Sequence, residues 1–122
     1  MSMYVLDEDL STALDEIENY APLYASAKKN RVQLEEFKKS KRSQLYLDAS
    51  GSTVAEKEHW AYAHKEYQEV IEGLAVATET ETDILWKLKI VYKFTLSILI
   101  YVKTVVYYTY YKFRVFVPGT RK

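Results

Sequence analysis

The sequence predicts a mainly α-helical protein: a long antiparallel helical hairpin, coiled-coil-like, followed by a basic, aromatic C-terminal extension. Three observations carry this. Only 3 Gly and 2 Pro occur among 122 residues, so the chain has few places to turn and favours a few long elements. Apolar residues recur at three- and four-residue steps through most of the chain before the extension. The clearest break is Ala49-Ser50-Gly51-Ser52, and two long helices joined by a short turn lie antiparallel. The expected organisation is a hairpin over residues 1–91, turning near 49–53, and an extension over 92–122.

Asp7, Glu8 and Asp9 open an apolar series at Leu10, Leu14, Ile17, Ala21 and Tyr24, the spacing of one helical face. Acids in a first turn also suit the positive end of the helix dipole. Pro22 interrupts the series by removing an internal hydrogen bond, so a kink or a restart capped by Asn19 is expected. From Ser26 to Asp48 the composition is strongly helix-forming, with Leu34, Phe37 and Leu45 on or near one stripe. Glu35 and Glu36 lie within i+4 and i+3 reach of Lys39, pairs worth about 0.2–0.5 kcal/mol each. The cluster Lys38, Lys39, Lys41 and Arg42 is a candidate phosphate contact, weighed against a solvated face beside the two glutamates.

Gly51 is suited to ending the first helix in the left-handed conformation. Thr53 and Glu56 then fit the capping box that begins a second. That helix carries Tyr67, Ile71, Leu74, Thr78, Glu81, Leu85, Leu88 and Tyr92 at alternating four-three steps, a heptad-like register in which Thr78 and Glu81 are poor core residues. Trp60 and Trp86 read as anchors between helices. Two helices alone leave much apolar surface in water, so a homo-oligomer, a protein partner or packing of the extension is expected.

Residues 54–89 resemble a recurrent pattern in small, mostly uncharacterised proteins of tailed bacteriophages. In it, an Ala- and Glu-rich helix precedes a Tyr, a Gly-Leu-x-x-Ala segment and a Leu-Trp-x-Leu-Lys segment. The matching residues are Ala55, Glu56, Ala63, Tyr67, Gly73, Leu74, Ala77, Leu85, Trp86, Leu88 and Lys89, and Leu34, Phe37 and Ser40 are similar to the group's first helix. The resemblance covers about half the chain. It implies a helical hairpin and an accessory to DNA recombination or replication, and it implies no catalytic residue. After Lys89 the chain departs from the group, which continues as acidic amphipathic helix. A shifted reading frame at that point predicts such a continuation in another frame of the gene.

Charge is divided unevenly. All 17 carboxylates lie at or before Asp83, against nine Lys or Arg there; eight Lys or Arg and no carboxylate follow. The neutral total therefore hides formal charges of −8 and +8, and a basic tail points to a partner or environment of its own. Three readings stay open for it. The apolar run between Lys93 and Lys103, continued by TVVYYTYY, reaches the 20 or so residues of a bilayer span only with Lys103 near the centre, and membrane association through residues 90–117 follows. Alternatively, tyrosines interleaved with cations supply the stacking and charge of a single-stranded nucleic-acid binder, with Lys103, Tyr108, Tyr110, Lys112 and Arg114 as contacts. Alternation in TVVYYTYYKFRVFV also suits β structure. The third reading is packing: the second helix extends with Thr95, Leu99, Val102, Val106, Thr109, Phe113 and Phe116 as a buried stripe until Pro118-Gly119 ends it.

Catalysis has little support. The absence of Cys excludes disulfides, thiolate metal sites and a Cys nucleophile. Glu56-x-x-His59 matches half of a di-iron site, but His64 lies five positions on, about 140° round the helix, and no second pair exists. No phosphate loop, nucleophile elbow or HExxH pair occurs. The expected protein is thus non-enzymatic, without metal or cofactor. The acidic N-terminus lacks a secretion signal, so the expected placement is cytoplasmic, with the membrane as the alternative.

Overall fold

The computed structural model describes residues 3–116. They form three helices, α1 (Met3–Asp48), α2 (Val54–Ala63) and α3 (Lys65–Phe116), and no strand occurs among the described residues. The mainly helical class is as the sequence predicts. Several expectations about helix ends are corrected.

α1 begins at Met3, so the acids at 7–9 fall beyond its first turn. It then passes through Pro22 without a restart, which makes Asn19 an interior helical residue. Proline removes the bond its N–H would give to the carbonyl of Glu18. Both residues are exposed, so that carbonyl is open to solvent.

The expected second helix is broken at His64, whose φ of −67° and ψ of 135° are extended. The break is well partnered. The His64 N–H reaches the Ala61 carbonyl at 3.4 Å, its Nδ1 accepts from the Glu66 N–H at 3.3 Å, and Gln68 Nε2 donates to the Tyr62 carbonyl at 2.7 Å. His64 therefore caps α3. α3 runs on without a break through residue 91 to Phe116. The β reading of residues 104–116 is likewise corrected to helix. Neither Gly nor Pro interrupts α3 between Gly73 and its end, and β-branched or aromatic residues cost a helix only about 0.5 kcal/mol each.

At the turn, the capping box is present in full: Thr53 Oγ1 accepts from the Glu56 N–H at 3.2 Å, and Glu56 Oε2 accepts from the Thr53 N–H at 3.1 Å. Glu56 Oε2 also takes the Ser52 N–H and hydroxyl, each at 2.9 Å. Gly51 is not left-handed, contrary to expectation. It is required by closeness instead, since a Cβ there would stand 2.8 Å from Glu56 Cβ and 3.3 Å from the Lys57 nitrogen.

The chain forms two compact units, one of residues 20–86 and one joining residues up to 19 with those from 87 onward. In the first, Leu45, Ala61 and Tyr67 form a buried cluster with Ile71 against it. The covered residues of α1 there include Tyr20, Tyr24, Ala27, Arg31, Leu34, Lys38, Lys41 and Leu45, with Glu35 and Tyr46 beside them; those of α3 include Tyr67, Val70, Leu74, Ala77, Glu81 and Ile84. Both series alternate three- and four-residue steps. In the second unit, Asp9, Thr12, Ala13 and Glu16 of α1 line a groove with Ile90, Val91 and Phe94 of α3. The covered residues of α3 there are Leu88, Val91, Thr95, Ile98 and Val102. Thr95 is buried without penalty because its hydroxyl donates to the Val91 carbonyl at 2.9 Å.

These series match the expected stripes at Tyr24, Leu34, Leu45, Tyr67, Leu74, Leu88, Thr95 and Val102 and correct them elsewhere. Ala77, Val91 and Ile98 are covered where Thr78, Tyr92 and Leu99 were expected, and Val106, Thr109 and Phe113 are exposed. In α1, Ala13 and Tyr20 replace Leu14 and Ala21, and Phe37 is exposed. Trp60 and Trp86 are exposed to 41% and 58%. Two apolar seven-residue series run side by side along α3, one residue apart, and the sequence pattern does not distinguish them. The side chain of Phe116 and the Pro118-Gly119 pair lie outside the described residues.

Gly51→Ala is expected to destabilise the chain by about 1–3 kcal/mol, since the contact is with a rigid Cβ rather than a flexible side-chain end. Chemical denaturation measures this, and wild-type stability would show that the turn yields freely.

Candidate functional site

The two groups of sequence-predicted contacts have different fates. Lys38, Lys39, Lys41 and Arg42 follow one another on α1 in the unit of residues 20–86. Lys41 pairs with Glu66, Arg42 with Glu58 at 3.2 Å, and Lys39 with Glu36 at 2.8 Å. Arg42 also lies 4.9 Å from the Tyr62 ring centroid. Lys38, Lys39, Arg42, Tyr46, Glu58 and Tyr62 line an open groove of about 750 Å³. Its basic wall is met by carboxylates from α1 and α2, so it offers little net charge to a phosphate. The sequence concealed this because Glu58 and Glu66 lie beyond the turn.

Further along the same helices, Arg31 donates to Glu81, and to Glu35 at 2.8 Å. The Arg31 guanidinium is held above its usual pKa, first by Glu81 and then, against partial desolvation, by Glu35. Glu81, a poor core residue on pattern alone, is thus accommodated by a cation on the facing helix.

Lys103, Tyr108, Tyr110, Lys112 and Arg114 are all exposed on α3, in the other unit. They belong to a longer surface. From Ile90 to Phe113 the exposed large side chains include Ile90, Tyr92, Phe94, Leu96, Leu99, Ile100, Tyr101, Val105, Val106, Tyr107, Tyr108, Tyr110, Tyr111 and Phe113. They are not confined to one stripe. Tyr92, Leu99, Val106 and Phe113 repeat every seventh position beside the covered series, Phe94, Tyr101 and Tyr108 do so on its other flank, and Ile100 and Tyr107 point away from it. A helix apolar on every side is characteristic of a large core or a bilayer, and flanking positions in a two-helix contact are usually charged. By length and composition, α3 is also long and apolar enough to cross a membrane.

Elsewhere the chemistry is structural. The Glu56 carboxylate is occupied by the cap, and His59 is exposed. No group of three or more metal-ligating side chains is gathered among the described residues. No family model, curated protein or solved structure matches the chain.

The Glu56 carboxyl is held below the usual range, first by the Ser52 hydroxyl and then by the Ser52 and Thr53 N–H groups. Glu66 is depressed mainly by its bond to Lys41. Groups with lowered folded values stabilise above the ordinary carboxylate range, and this stability is lost as pH falls through the folded values. Melting temperature is expected to fall on acidification through that range, and less steeply in Glu56→Gln. An identical acid slope in the variant would exclude the cap as a contributor.

Proposed function

We propose that this is a non-enzymatic membrane-associating protein, whose α3 binds a lipid bilayer through residues 90–114. The observation that carries the reading is the set of large apolar side chains exposed on both flanks of the covered series of this segment and behind it. A protein partner covers one face of a helix, whereas acyl chains cover several. Lys93 precedes the apolar stretch and Lys112 and Arg114 follow it, with tyrosines gathered towards the second end. Cations and tyrosines together suit the headgroup layer of a bilayer. The first test is vesicle flotation of the full chain. Ile100→Glu with Val106→Glu is expected to lower the floated fraction at least tenfold, and equal flotation of both proteins would reject the proposed surface.

A second reading, an accessory to DNA recombination or replication as the phage resemblance implies, is favoured by one observation: Lys103, Tyr107, Tyr110 and Arg114 are exposed at alternating four-three-four steps, one line of cations and stackable rings. It requires affinity for single strands that falls with salt at a log–log slope of about −0.7 per phosphate contacted.

For the remainder of the chain we propose an antiparallel helical hairpin of coiled-coil type as the scaffold. Support comes from the alternating three- and four-residue steps of covered residues and from the pairs Arg31–Glu81 and Lys41–Glu66 between α1 and α3. Charged residues at covered positions fix register in such assemblies. Here the cations Arg31, Lys38 and Lys41 lie on α1 and the carboxylate Glu81 on α3, which favours pairing of unlike helices over like ones. Arg31→Glu and Glu81→Arg are each expected to lower the melting temperature, and their combination to restore most of the loss. A double variant no more stable than the weaker single would remove the pair as a register determinant.

A further inference from the structure

Resting on the bilayer reading, the charge pattern of α3 specifies both the lipid and the orientation. We infer that residues 90–114 lie in the plane of the interface on an anionic bilayer, with Lys93, Lys103 and Arg114 contacting lipid phosphates. These three cations are exposed and share one line along the helix with Ile100, Tyr107 and Tyr110. The line faces away from the covered series Val91, Thr95, Ile98 and Val102. A surface carrying cations and apolar groups together suits a headgroup layer, where charges meet phosphates and apolar side chains enter the acyl boundary.

Two observations oppose a spanning orientation. Residues 94–111 would measure about 27 Å as helix, close to the roughly 30 Å hydrocarbon thickness, but Lys103 would then sit near its centre. In addition, Asp9 and Glu16 of α1 line a groove with Ile90, Val91 and Phe94, so insertion of α3 beside its neighbour would bring carboxylates into hydrocarbon.

Charge complementarity also decides against a second α3 as the covering surface. The exposed seam Tyr92, Leu99, Val106 and Phe113 has suitable spacing for a helix partner. Yet no Asp or Glu follows Asp83, so two copies of this segment would bring only like charges together. An anionic bilayer meets the apolar and the cationic demand at once, each cation contributing about a fivefold gain in partition.

The test uses the full chain with sealed vesicles, either neutral phosphatidylcholine or the same lipid with about a third phosphatidylserine. Expected are strong flotation with the anionic vesicles, weakened by raised salt, and far less with the neutral ones. A Lys93→Gln, Lys103→Gln, Arg114→Gln triple variant should lose roughly a hundredfold in anionic partition while keeping its helical circular dichroism and its neutral-vesicle partition. The natural chain lacks Cys, so Lys112→Cys supplies a unique thiol. In the plane of the interface, it stays reactive to a membrane-impermeant maleimide added outside. Equal binding to both vesicle types, or a protected thiol, would overturn the inference and leave the membrane reading standing. Binding to neither vesicle would overturn both. Retention on a single-stranded oligonucleotide without preference for anionic vesicles would transfer the cation line to nucleic acid.

Discussion

The last part of α3 carries more apolar surface than one neighbouring helix covers. Leu88, Val91, Thr95, Ile98 and Val102 are covered, and large side chains remain in water on both flanks and behind. Exposed apolar patches of this kind mark interaction or membrane surfaces in stable proteins. The functional question is therefore what covers α3 beyond Ile90. Since this segment contains no carboxylate, its cations have no partner among its own side chains, and the covering surface is expected to bring negative charge.

The unit of residues 20–86 obeys the opposite logic. Its covered series contain Arg31, Lys38, Lys41 and Glu81 where a simple core would be aliphatic. Several of these are answered across the helices, Arg31 by Glu81 and Lys41 by Glu66, with Arg42 and Glu58 nearby. Buried ion pairs are weak sources of net stability but costly to break on one side, so they serve specificity more than strength. The groove beside Tyr46 and Tyr62 shares this character. It resembles a binding cleft in its residue types, but Lys39 and Arg42 in it are already paired with Glu36 and Glu58.

Much of the fold was legible in the sequence because the turn chemistry is local. Thr53 and Glu56 cap α2 as their spacing indicated, and the scarcity of Gly and Pro foretold long helices. Gly51 was correctly located at the turn but for another reason, since its need arises from the approach of Glu56 Cβ, a contact no propensity encodes. The break at His64 was missed because its partners, Glu66 and Gln68, are ordinary helical residues whose capping contacts appear only in three dimensions. The seam on α3 was placed one residue off, at Tyr92 and Leu99 rather than Val91 and Ile98, since both series are apolar. The expected series is covered at Leu88, Thr95 and Val102 and exposed at Tyr92, Leu99, Val106 and Phe113. Among the candidate contacts, Lys103, Tyr108, Tyr110, Lys112 and Arg114 stand out from composition alone, and all five are exposed. The neutralisation of Lys39, Lys41 and Arg42 was only partly so: Glu36 is adjacent, whereas Glu58 and Glu66 come from beyond the turn.

The most direct measurement is hydrogen–deuterium exchange of the full chain with and without anionic vesicles, resolved by peptide. Slower exchange confined to peptides covering residues 90–114 is the expected result. Protection centred instead on residues 38–67, or no change anywhere on adding lipid, would contradict the claim that this segment is the working surface.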